Sequence, residues 1–79
     1  MPALLRFGRY TVYIHFGDTD RHHLPHCHVR WTDGKASVEL RDLRVLAGTL
    51  PRQARSVLME HRDELIEAWN RLNPQQPME

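Results

Sequence analysis

In His26-Cys27-His28-Val29-Arg30-Trp31-Thr32-Asp33-Gly34-Lys35-Ala36-Ser37-Val38-Glu39-Leu40, apolar and polar residues alternate on both sides of Asp33-Gly34. A period of two puts successive side chains on opposite faces of a strand. Cys27, Val29 and Trp31 therefore share one face, while His26, His28, Arg30 and Thr32 share the other. The returning segment has Ala36, Val38 and Leu40 on one face and Lys35, Ser37 and Glu39 on the other. Asp33-Gly34 is a two-residue hairpin signal of the I′ class. With those two as the loop, Trp31 falls opposite Ala36, Val29 opposite Val38 and Cys27 opposite Leu40. Arg30 then meets Ser37, and His28 meets Glu39. The apolar pairs all lie on one inner face, and a one-residue slip would separate Trp31 from Val38.

Upstream, Tyr10, Val12, Ile14 and Phe16 alternate with Thr11, Tyr13 and His15, a second half-buried strand. The apolar run at 3–7 precedes it, and Gly8 supplies the positive φ that a tight turn at Gly8-Arg9 requires. These segments read as a first hairpin. Gly17, Asp18, Asp20 and Pro25 mark the loop that follows. Asp18 and Asp20 read as turn residues, with metal ligation the lesser alternative.

Downstream, residues 41–48 suit either a connector or a fifth strand ending at Gly48. A helix starts at Thr49 or Leu50, with Pro51 in its first turn. Ala54, Val57, Leu58, His61, Leu65, Ala68, Trp69 and Leu72 recur at intervals of three and four, one apolar face across about six turns. Asn73-Pro74 stops it, and residues 74–79 read as a disordered tail. The expected architecture is a single α+β domain over residues 1–73. Its antiparallel sheet of about four strands, in two hairpins, is covered on one face by one long C-terminal helix.

Seventy-nine residues bound one small core, worth about 3–5 kcal/mol. A metal ion, a partner protein or a second copy of the chain would each add stability. The formal net charge of +1 gives no large field, so charge alone does not indicate strong non-specific binding to nucleic acid. The cations are uneven, however. Arg6, Arg9, Arg21, Arg30, Lys35, Arg41, Arg44, Arg52 and Arg55 precede residue 56, where five acidic residues occur. A basic sheet surface, with nucleic acid as a ligand, stays open. One cysteine makes no internal disulfide, which fits a reducing cytoplasm. No apolar run nears the ~20 residues of a membrane span, and no signal-peptide core opens the chain. A soluble cytoplasmic protein is expected.

Four of the six histidines crowd into His22-His23-Leu24-Pro25-His26-Cys27-His28. His26 and His28 project side by side from one strand face, toward solvent or a partner. With His22 they could hold a divalent metal such as zinc, and Glu39 could serve as a fourth ligand or orient an imidazole. His26, His28 and Arg30 could alternatively act as acid, base and anion clamp in phosphodiester cleavage. The bland reading is two solvated imidazoles. Cys27 points inward and reads as a small core residue. His61, inside the helix stripe, reads as a core or boundary residue. His15 joins the candidates only if it shares the His26/His28 side.

With those residues in hand, the chain resembles the prokaryotic family called domain of unknown function 4160 over roughly residues 2–72. Met1-Pro2, Phe7-Gly8, His22, Pro25, His26, His28, Val29, Leu65 and Trp69-Asn70 carry the resemblance to its acidic-His-x-Pro-Pro-His-x-His-Val signature and its flanks. Leu24 stands where the family has its first proline and Arg21 where an acidic residue is common, so Asp20 or Asp18 would have to replace the latter. The resemblance implies an α+β fold without an established activity. It also implies a gene neighbour from domain of unknown function 2442, an arrangement similar to toxin–antitoxin pairs. The expectation that follows is an interaction module of such a pair, partnered by the small neighbouring protein, with a histidine-rich recognition or metal-binding surface. The alternative is a small histidine-dependent nuclease or hydrolase, with or without a divalent metal.

Overall fold

Alternation of the β-branched and aromatic residues in Tyr10–Ile14 builds a strand whose inward side chains, Tyr10, Val12 and Ile14, are all buried. The computed structural model describes residues 3–14, 24–75 and 77–78. Its strands are β1 (Ala3–Phe7), β2 (Tyr10–Ile14), β3 (His26–Trp31), β4 (Gly34–Glu39) and β5 (Val45–Gly48). They form one antiparallel sheet in the order β1-β2-β3-β4-β5. Two helices follow, α1 (Arg52–Glu60) and α2 (Arg62–Leu72). The α+β class holds, with five strands where about four were expected and two helices in place of one. The undecided stretch at 41–48 contains the fifth strand.

The first hairpin pairs Phe7 with Tyr10 around Gly8-Arg9, and Gly8 has φ +62°. In the second hairpin the expected register is wrong by two residues. Trp31 pairs with Gly34, Val29 with Ala36, Cys27 with Val38, His28 with Ser37 and His26 with Glu39. Thr32-Asp33 form the loop, and neither has the positive φ of an I′ turn. Packing supplies a reason. A Cβ on Gly34 would sit 3.2 Å from Cζ2 of Trp31, so the indole lies over the one residue that leaves it room.

The inner face meets the helices in one core. Val12, Ile14, Cys27, Val29, Val38 and Leu40 pack with Ala54, Leu58, Leu65 and Trp69. Leu43, at φ 59° and 2% exposed, tucks the β4–β5 connection into that core. Arg62 holds the same connection from α2, donating from Nε to the Leu40 oxygen at 3.0 Å and from a terminal nitrogen to the Arg41 oxygen at 2.8 Å.

The helix divides at His61, which has φ −108° and ψ 19°. Hydrogen bonds from His61 N to Val57 O and from Leu65 N to His61 O bridge the break, both at 3.1 Å. That continuity is why the apolar spacing runs through it. Asp63 and Glu64 in the first turn of α2 suit the positive end of a helix dipole and mark the new start. Asn73 ends α2, its N–H donating to Trp69 O at 2.8 Å. Beyond it, Met78 is held against α2 by Asn70. Met78 is 8% exposed, and Asn70 bonds both its N–H and its carbonyl oxygen, at 2.6 and 2.8 Å. No described helix is long and apolar enough to cross a membrane.

Candidate functional site

The sheet face opposite the helices is organised by cross-strand pairing. Tyr13 pairs with His28, His28 with Ser37, and Ser37 with Ala47. Directly paired residues share a face, so these four side chains form one transverse row, which Leu4 extends on β1. Tyr13, His28 and Ser37 are half-buried, and Nδ1 of His28 lies 3.1 Å from the Ser37 hydroxyl. The neighbouring row is Arg6, Thr11, Arg30 and Lys35. Arg30 places its guanidinium 5.6 Å from the centre of the Tyr13 ring, within cation–π range.

Between the rows lies a cleft of about 520 Å³. Tyr13, His28, Arg30, Lys35, Ser37 and Ala47 are among its walls, and none of its described lining residues is acidic. The volume is within the ~300–1,000 Å³ of ordinary ligand pockets.

His26 and His28 lie together, ring centroids 5.1 Å apart and planes at 79°. They differ in exposure, which corrects the expectation that both project openly toward solvent or a partner. His28 is half-buried, whereas His26 is 2% exposed, with its ring 5.9 Å from that of Trp69. Nδ1 of His26 is 2.7 Å from the Leu24 carbonyl oxygen. A carbonyl only accepts, so Nδ1 carries the proton and Nε2 is the basic nitrogen of the neutral ring. This is the bond that orients a metal-ligating or proton-accepting imidazole.

Glu39 belongs opposite His26 rather than His28, a direct consequence of the register. It is 6% exposed, and burial followed by a hydrogen bond with Asp42 pushes its pKa up. Asp42 moves the opposite way, held down first by that bond and then by the Arg44 N–H, which donates to it at 3.0 Å. A protonated Glu39 donating to an ionised Asp42 accounts for both directions. Cys27 is fully buried on the inner face, where burial pushes its thiol up to about 12.

Of the proposed metal ligands, His22 lies outside the described residues, as do His15, Asp18 and Asp20. Among the described residues no three His, Cys, Asp or Glu side chains are grouped as a metal would need. His61 stands apart on the helix side, stacked on Phe7 and 2.8 Å from Glu64 Oε1. Tyr13 and Ser37 join the site without having been singled out, and their signal was only their place on the polar side of each alternation. Lys35 had been named as one cation of a basic sheet surface, not as part of the histidine site.

The family described as Domain of unknown function (DUF4160) matches residues 10–70, most of the chain. No curated protein and no solved structure matches it.

Proposed function

Since the chain belongs to the family called domain of unknown function 4160, a description that assigns no reaction, we propose from its geometry that it is a small recognition module, and from the gene neighbourhood that the family resemblance implies, that it is one product of a two-gene, toxin–antitoxin-like pair. The observation that carries this reading is the row of Tyr13, His28 and Ser37, three half-buried polar side chains presented together in one cleft. Half-buried aromatic and hydrogen-bonding groups in a concave site orient a bound partner. The burial of His26 supports binding over two-histidine cleavage, because an acid–base pair needs both imidazoles within reach of substrate. The partner is the small protein of the neighbouring gene, seated against the outer face.

Co-expression of the two genes tests this. The products should co-elute on a sizing column at their combined mass. A Tyr13→Ala, His28→Ala variant should melt as a folded protein yet elute alone. Separate peaks for the unaltered pair would end the proposal.

A further inference from the structure

The outer face carries two parallel rows of different chemistry. Arg6, Arg30 and Lys35 are exposed and aligned across β1 to β4, spanning three strand spacings, or about 14 Å. The row of Tyr13 and His28 lies two residues further along each strand, about 7 Å away. Of the described acidic residues on this hairpin, Glu39 is 6% exposed and Asp33 sits in the turn, so the cationic row is little neutralised along its length.

We propose that this face binds single-stranded nucleic acid laid across the strands, its phosphates along Arg6, Arg30 and Lys35 and one base in the cleft against Tyr13 and His28. The proposal rests on the reading of the outer face as the recognition surface, and it names a ligand for that surface when the protein partner is absent. Sequence-tolerant single-strand binding needs two things: a line of cations that follows the backbone, and rings on which bases stack. Both are present here, at the separation of two adjacent rows. A line of exposed cations one row away from a half-buried ring matches the alternation of phosphate and base along a strand. The cleft of about 520 Å³ is large enough for one nucleotide. RNA and DNA strands share this chemistry.

The test is fluorescence anisotropy of the full chain with labelled RNA and DNA strands of about twelve nucleotides. Three phosphate contacts predict a log–log salt slope near about −2, hence roughly 20-fold weaker binding at 200 mM than at 50 mM salt. Arg30→Gln with Lys35→Gln should bring the slope to about −0.7. Tyr13→Leu should weaken binding about tenfold at an unchanged slope. Thermal melts identify any variant that has unfolded, and Arg6→Gln then supplies an independent change of slope at the sheet edge.

No saturable binding to any strand at about 100 µM protein and low salt would overturn the proposal. So would a salt slope indifferent to Arg30 and Lys35, or binding of an acidic peptide alone. If the neighbouring product still co-elutes while no strand binds, only this inference falls. If neither binds, the reading of the face falls with it.

Discussion

Nδ1 of His26 donates to the carbonyl oxygen of Leu24 at 2.7 Å, and Pro25 between them accepts from the Leu40 N–H at 2.9 Å. The approach to β3 is thereby tied down from its own strand and from the residue that follows β4. With its ring buried near Trp69, His26 serves architecture, whereas His28, one pleat further on, belongs to the cleft. His26→Ala removes a buried ring and its hydrogen bond, and should cost about 2–3 kcal/mol. His28→Ala should cost about 1 kcal/mol or less and should weaken partner capture. Urea midpoints separate the two. Equal losses would contradict this division of labour.

Cys27 sits one residue away with the opposite orientation. It has no exposed surface and a thiol pushed up to about 12, so little thiolate forms at neutral pH. Alkylation must wait for the core to open. In the folded protein iodoacetamide should label it about 10²–10⁴-fold more slowly than in urea, the protection expected from a core of ~3–5 kcal/mol. Labelling at the rate of an exposed thiol would mean that β3 does not pack beneath the helices.

Glu39 gives the fold a pH dependence of definite sign. Its folded pKa is raised above the ordinary 4.5, first by burial and then by Asp42. The stability this brings is present below about pH 4.5 and is lost as pH rises through the raised value. Asp42, with its pKa lowered, contributes in the opposite sense: present above its ordinary 3.8 and lost on acidification. Glu39→Gln keeps a donor for Asp42 and cannot ionise. Its urea midpoint relative to the unaltered protein should therefore improve between about pH 4 and about pH 8. A constant difference across that range would show that Glu39 ionises normally.

How far the sequence carries the structure depends on the symmetry of each signal. Alternation put Cys27, Val29, Val38 and Leu40 on the inner face, and they are there. A two-residue shift of register preserves every one of those assignments, so alternation could not choose between the two. The choice fell to the fit of Trp31 over Gly34, and it moved Glu39 from His28 to His26. The break at His61 was hidden for a similar reason, since the spacing of three and four continues through it. Asp63 and Glu64 were the available clue. Tyr13 entered the site through the pairing of β2 with β3, made across the long connection at 15–25, and nothing local in the sequence specifies that pairing.

Gly8 and Gly48 both have positive φ, but their surroundings differ, and that difference yields the sharpest test of the sheet edge. At Gly8, φ is +62° and an added Cβ would meet nothing within 4 Å. Gly8→Ala should therefore cost only the left-handed strain, about 1 kcal/mol, or roughly 5 °C in a domain of this size. At Gly48, φ is +82° and the Cβ would lie 2.5 Å from the Lys35 carbonyl oxygen and 3.1 Å from Cα of Ala36. Both contacts are backbone, so relief requires β5 to move off β4. The cost should reach about 3 kcal/mol, or roughly 15 °C. Because Gly48 pairs with Ala36 beside the cleft wall at Ala47, the same variant should also weaken binding at the outer face, while Gly8→Ala leaves it intact. Thermal melts and partner capture on the two variants read both effects. Equal melting losses would mean that β5 does not approach β4 so closely, and that the cleft lacks this wall.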